Sequence, residues 1–370
     1  MSGSVYGRIL RMSTFGESHG PALGVVVDGF PAGVPVTEDD IQAFLDRRSP
    51  GRSEASTARK ESDTAEILSG VFEGRSTGAP IAMLIRNTSQ RSADYDTIKD
   101  LYRPGHADYT WDSKYGFRDY RGGGRSSGRE TAGRVAAGAL CMLLLNRMGI
   151  TCEAWTSSIG EVTVPADIAD RALRLTTQTY MPDAEADRRA MELIKKLKSE
   201  GNTVGGTVTC VMDHVPSGVG DPVFDKLDAS LAAAVMSVGA VKAVEIGDGI
   251  AVSKRTGSEN NDPFLPGDPS AGEKAVKATN SAGGILGGIS DGSPIVLKAH
   301  IKPTPSIAMP QSTVDRNGRA AEISVPGRHD PVIVPRAVVV IECMCAFTLL
   351  DAMLVNMTSR ADSIAAFYGR

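Results

Sequence analysis

The stretch Arg121-Gly-Gly-Gly-Arg-Ser-Ser-Gly-Arg-Glu-Thr-Ala-Gly-Arg134, followed at once by the apolar run Val135 to Leu145, is the one around which the chain is organised. Three consecutive glycines lose the most backbone entropy on ordering, so they cannot be the interior of a helix or strand. They suit a loop whose backbone must approach something closely. Two serines can hydrogen-bond that object, and four arginines mark it as an anion. The helix behind, read over Val135 to Met148, aims its N-terminal N–H groups at the same place. It is apolar nearly all round, so it belongs between layers rather than on one face. A flexible, solvated Gly/Arg linker is the competing reading of the loop.

Composition is ordinary for a globular chain of 370 residues, with 41% hydrophobic and 23% charged residues. A net charge of −4 argues against a general nucleic-acid coat, and no nucleic-acid partner is expected. The cysteines Cys141, Cys152, Cys210, Cys343 and Cys345 form no C-x-x-C pair. An odd number of thiols, mostly in apolar runs, fits a reducing, cytoplasmic setting. Met1 to Leu10 lacks the apolar region of a signal peptide. The run Ala337 to Met357 is interrupted by Glu342 and Asp351, which fall on nearly opposite faces of a helix. Each acid would cost about 2.5–3.5 kcal/mol near a bilayer centre, so a buried helix and no membrane partner are expected.

Outward from the glycine loop, β-branched or alternating runs read as strands at Gly24 to Phe30, Ala65 to Leu68, Pro80 to Arg86, Gly206 to Asp213 and Pro294 to Lys302. Val244 to Val252 reads as a strand broken by a tight glycine turn. Gly16, Glu17, Ser18, His19 and Gly20 read as turn formers and a titratable ring rather than core. Thr37 caps a helix whose first turn is Glu38, Asp39 and Asp40. Asp183 to Gly201 is a surface helix with Ala190, Leu193, Ile194 and Leu197 as its apolar stripe. Leu227 to Val238 looks internal. Ser49 to Asp63 is a long polar, basic loop. Strands and helices do not alternate, and hairpins recur beside buried helices. The fold class is therefore α+β, a layered sandwich. With no linker and no repeat, residues 1–370 read as one domain.

The loop fails both common nucleotide tests. Gly123 to Arg129 spells G-x-x-x-x-G-R, but Glu130 stands where a Mg²⁺-binding hydroxyl belongs. Gly122-x-Gly124 has Ser127 where a dinucleotide site needs its third glycine. Three of the five histidines, His19, His106 and His329, lie in polar turns, with Glu17, Asp108 and Asp330 close in sequence. Histidine titrates near neutrality and serves as a general acid. His214 and His300 read as surface residues. No local His/Cys spacing supports a metal. Arg47, Arg48, Arg103, Arg121, Arg125, Arg129, Arg134 and Arg328 fall in or beside these turns, a concentration suited to gripping a polyanion.

Together these stretches resemble the chorismate synthase family. The matching segments include Thr14-Phe-Gly-Glu-Ser-His-Gly20, Asp46-Arg-Arg48, Arg103-Pro-Gly-His-Ala-Asp108, Asp119-Tyr-Arg-Gly-Gly-Gly-Arg-Ser-Ser127, Arg129-Glu-Thr131, Glu245-Ile-Gly-Asp-Gly249, Ala282 to Ile289, Lys302-Pro-Thr304 and Gly327-Arg-His-Asp-Pro331. They run in the family's order from Gly7 to about Asp351. The resemblance implies antiparallel sheets around long central helices, a homotetramer, and 1,4-anti elimination of phosphate from 5-enolpyruvylshikimate 3-phosphate. It implies reduced FMN (FMNH2) as cofactor, with NADPH as a candidate reductant. By the same resemblance His19, His106 and Asp330 are catalytic. Arg125, Ser126, Ser127, Gly239, Ala240, Gly287, Lys302, Pro303, Thr304, Pro305, Ser306 and Arg328 would hold FMN. Arg48, Arg129 and Arg134 would bind substrate, with Arg48 also linked to NADP. Gly128, Gly239, Glu54 and Pro305 depart from the family's usual residues, and Glu54 puts intrinsic NADPH binding in question. A single-strand nucleic-acid binder, or another phosphate-ester lyase or flavoprotein, are the alternatives. Aromatic content of 5% gives the first of these little stacking surface.

Overall fold

The computed structural model describes residues 3–49, 63–88, 99–165, 167, 170–268, 270, 275–325 and 330–370. Most of the polar loop after Ser49, with Glu54, lies outside them, as do Arg328 and His329. Two five-stranded antiparallel sheets enclose the helices. The first runs in the order Val5–Tyr6, Arg11–Gly16, Ala22–Asp28, Ile81–Arg86, Ala65–Ile67. The second runs Val241–Ile246, Ile295–Ile301, Gly206–Asp213, Thr151–Ile159, Val162–Thr163. Alternation decides which face each strand buries: Ile295, Leu297, Ala299 and Ile301 are buried, and the residues between them are half-exposed.

Two long helices, Thr131–Arg147 and Val334–Asn356, fill the space between the sheets. The second is long and apolar enough to cross a membrane, and most of its length is buried inside the fold. The two helices touch at Gly138, where an added Cβ would lie 2.3 Å from Cys343 Cβ and 2.6 Å from its backbone. The two acids of the Val334–Asn356 helix do point to opposite layers. Glu342 accepts a hydrogen bond from Ala154 N–H (3.3 Å) in the second sheet and pairs with Arg47 at 2.6 Å. Burial pushes its carboxyl up, against the pull of Arg47 and Arg174. Asp351 instead accepts from the backbone N–H groups of Arg8, Ile9 and Leu10, each at 2.9 Å, which ties down the first sheet's edge.

Thr37 caps the Glu38–Arg48 helix in a full capping box with Asp40. Asp183 caps Ala184–Ser199. All five cysteines are buried and free. Two elements went unread in the sequence, and one expectation needs correction. Arg11–Gly16 is a strand paired along Ala22–Asp28, and the expected turn follows it, with Gly20 N–H donating to Glu17 O at 3.1 Å. Asp108–Tyr115 is a helix that polar composition hid, ended by Gly116 in the left-handed region (φ 70°). Val244 to Val252 is strand only to Ile246. Gly247 and Gly249 then turn left-handed, and Gly249–Lys254 coils as a 3₁₀ segment.

Candidate active site

A cavity of about 550 Å³ opens where the first turns of both central helices meet. Arg129, Glu130 and Arg134 reach it from one helix start, and Ile333, Arg336 and Ala337 from the other. Two helix N-termini at one site favour an anion. Seven basic side chains against two carboxylates line the wall.

Each of these cations is oriented by something specific. Arg129 Nη1 donates to Asp63 at 2.6 Å, and Arg48 Nε donates to the other oxygen of the same carboxylate at 3.1 Å. Burial opposes ionisation of Asp63, but Arg48 and Arg129 outweigh it and hold the carboxyl well below the usual range. Arg103 grips Asp108 with two bonds of 2.7 Å, and Asp108 in turn lies 3.2 Å from His106 Nδ1. Burial is again outweighed, here first by the Arg103 and His106 hydrogen bonds, so Asp108 stays ionised. Arg134 Nε donates to Glu130 at 2.9 Å, Arg336 Nη1 to Asp330 at 2.5 Å, and Arg125 to Thr14 Oγ1 at 2.7 Å. Lys302 Nζ donates to Gly105 O at 2.5 Å; burial and then Lys242 pull its amine below the usual lysine range.

The three glycines acquire a definite reason here. Gly122, Gly123 and Gly124 all have left-handed φ values, 65°, 89° and 53°. An added Cβ at Gly122 would lie 2.3 Å from the His19 ring, and one at Gly123 would lie 2.7 Å from the His106 ring. The close approach is thus to the protein's own two imidazoles, not only to a ligand. Two 3₁₀ turns, Gly124–Ser126 and Gly128–Glu130, then lead into the Thr131–Arg147 helix.

Most of the residues expected from sequence come together. Arg48, His106, Arg125, Ser126, Ser127, Arg129, Arg134, Gly239, Ala240, Lys302, Thr304, Pro305, Ser306 and Asp330 all line the cavity. His19 is buried behind the glycine loop, bonded to Ser18 Oγ at 3.2 Å, and it is Ser18 that lines the wall. Pro303 is exposed and lies outside the lining. Gly287 is also outside it. Its hairpin sits at the start of the Leu227–Met236 helix, where Leu227 N–H donates to Gly288 O, whereas Gly239 and Ala240 lie beyond the far end. Ten helical residues span about 15 Å, so Gly287 does not reach this cavity. Sequence reasoning missed Arg336, Asp63 and Glu130. Arg336 follows Pro335 at a helix start with no polar motif around it.

The wall keeps an unpaired polar atom and open space, as an anionic cofactor would need. Thr304 Oγ1 is buried without a hydrogen-bond partner, a polar atom waiting for a ligand. A Cβ at Gly239 would meet nothing within 4 Å, so room remains where the family's larger side chain is missing. Ala240 is held left-handed (φ 72°), with Lys302 N–H donating to its carbonyl at 2.9 Å. Strain of this kind persists where the surroundings over-determine a site.

Such a cavity suits an enzyme whose ligands carry several negative charges. The chorismate synthase family model matches residues 10–354. The chorismate synthase of Agathobacter rectalis is 54% identical over 368 residues, covering 100% of this chain and 99% of that protein. That of Methanocella arvoryzae is 53% identical over 357 residues, covering 96% and 95%. A crystal structure of chorismate synthase superposes with a TM-score of 0.76 at 31% identity, covering 98% of this chain and 97% of that one. The chain belongs to the chorismate synthase family. It is a carbon–oxygen lyase that eliminates phosphate from 5-enolpyruvylshikimate 3-phosphate to give chorismate, the last common step of the shikimate pathway toward the aromatic amino acids. The family requires reduced FMN.

Proposed function

We propose that this one cavity holds flavin and substrate together, with the glycine loop and the Lys302–Ser306 segment on the flavin side and the helix starts on the substrate side. The observation that carries this division is that Arg48, Arg129, Arg134 and Arg336 hydrogen-bond buried carboxylates, while Arg125 donates to oxygens of Thr14 and Gly16 and reaches Glu130 only at 3.9 Å. Reduced FMN, when bound, supplies electron density to the elimination with no net redox change. Arg125, Ser126, Ser127, Gly239, Ala240, Lys302 and Thr304 to Ser306 bind and orient it. Arg48, Arg129, Arg134 and Arg336 fix the phosphate and carboxylates of the substrate. His106 has Nδ1 occupied by Asp108 and Arg103, which leaves Nε2 to protonate the departing phosphate. His19 supports the flavin through the loop that it packs against. Asp330, oriented by Arg336, receives the proton.

The same reading makes the protein a cytoplasmic homotetramer of single-domain chains, with no nucleic-acid or membrane partner. Gly287 would then serve only the cavity of a neighbouring subunit. Arg48 is fully buried with its fork on Asp63, which favours substrate over NADPH as its ligand. Anaerobic assay with photoreduced FMN is expected to give chorismate and phosphate in equal amounts. Absence of product would overturn the reading. NADPH and oxidised FMN alone are expected to give no turnover. Ser127→Ala is expected to weaken FMN binding about tenfold, more than Arg134→Ala does, by flavin fluorescence titration. The opposite ranking would mean that the two sides are exchanged.

A further inference from the structure

We infer that Asp63 is a positioning residue that sets the anion selectivity of the cavity, its carboxylate fixing the Arg48 and Arg129 forks for an extended phosphate ester rather than for free phosphate. This rests on the reading that those two arginines clamp the substrate. Asp63 does not line the cavity, so it acts only through the residues that do. Its side chain is wholly buried. One oxygen takes Arg129 Nη1 at 2.6 Å; the other takes Arg48 Nε at 3.1 Å and Ser49 Oγ at 2.9 Å. Each guanidinium therefore has its own oxygen, and one carboxylate sets the angle between two planar forks.

Two further observations separate this from a routine buried ion pair. Asp63 adopts a left-handed backbone (φ 32°), an uncommon conformation for a residue with a side chain. Such strain is kept where position matters more than local comfort. The pair also belongs to a continuous wall. Arg336 Nε donates to Arg48 O at 3.0 Å, and Arg336 Nη1 donates to Asp330 at 2.5 Å. A run of fixed groups thus joins Arg129 to Asp330 through Asp63, Arg48 and Arg336.

Physically, without Asp63 the Arg129 Nε bond to Asn87 Oδ1 remains, but nothing common to both arginines sets the angle between their forks. A compact anion such as inorganic phosphate responds mainly to net charge and gains from that change. An ester carrying several separated anionic groups needs the forks at set angles and loses. A purely structural role would weaken both ligands together.

The test is the isosteric Asp63→Asn enzyme, assayed anaerobically with reduced FMN. The readouts are KM for 5-enolpyruvylshikimate 3-phosphate and the inhibition constant for inorganic phosphate. The ratio of KM to that constant is expected to rise about tenfold or more over the parent. A ratio within about twofold of the parent, including parallel weakening of both, would overturn the inference. If Asp63→Asn does not fold, Asp63→Glu decides. It keeps the charge but displaces it, so KM is expected to rise about fivefold with phosphate inhibition little changed, and an unmoved KM would overturn the inference. Arg129→Lys run in parallel isolates the underlying reading. If its KM is unmoved, the clamp itself is wrong. If its KM rises while the Asp63→Asn ratio stays put, only the role of Asp63 is wrong.

Discussion

His106→Ala is expected to lower kcat by about a thousandfold while leaving FMN binding and KM within a few-fold of the parent. A positioned general acid contributes roughly 10²–10⁴-fold, and three decades correspond to about 4 kcal/mol of transition-state stabilisation. The ring is set for that work from two directions. Asp108 and Arg103 lie 3.2 Å and 3.1 Å from Nδ1, and the Gly123 backbone covers one edge. The substitution opens space without leaving a charge stranded, because Arg103 keeps both of its bonds to Asp108. Single-turnover phosphate release under anaerobic conditions separates chemistry from product departure. A fall of less than about tenfold would move the leaving-group proton to another donor.

Gly138→Ala is expected to cost about 3 kcal/mol or more and to reduce activity although Gly138 is remote from the cavity. One methyl group normally costs less, and overpacking typically 1–3 kcal/mol. Here the new carbon would meet Cys343 Cα and O at 2.6 Å, atoms that no rotamer change can move aside. The Thr131–Arg147 and Val334–Asn356 helices must therefore separate. Arg134 and Arg336 ride on those helices, so separation widens the spacing between two substrate arginines. Thermal unfolding should show a fall of several degrees, and KM should rise with it. Gly128→Ala is the matched control. Its added carbon would meet nothing within 4 Å, and stability should hold or rise slightly. Equal behaviour of the two variants would mean that the helices are not in contact at Gly138.

The layered fold was legible because its two central helices are apolar nearly all round. The strand Ile295–Ile301 was legible because it alternates without a fault. Asp108–Tyr115 was not, since its sequence lacks both an apolar stripe and a capping side chain. The anion site was readable from arginines crowded around glycines. Its internal wiring was not. Asp63 stands at the end of a long polar loop, fifteen residues from Arg48 and sixty-six from Arg129, and nothing local marks it as their common partner. Gly287 shows the opposite failure. Its role came with the resemblance, and the Leu227–Met236 helix holds it away from its own cavity.

The glycine loop has a consequence for how this sequence can vary. Gly122 and His19 share one small volume, and so do Gly123 and His106. A side chain on either glycine fits only if the opposing ring becomes smaller or leaves. Substitutions at these positions are therefore conditional on one another: Gly122→Ala, damaging beside histidine, should become tolerable beside a residue 19 cut back to alanine, apart from the left-handed strain at φ 65°. Two adjacent glycines are thus each bound under mutation to a different histidine, as two inseparable pairs.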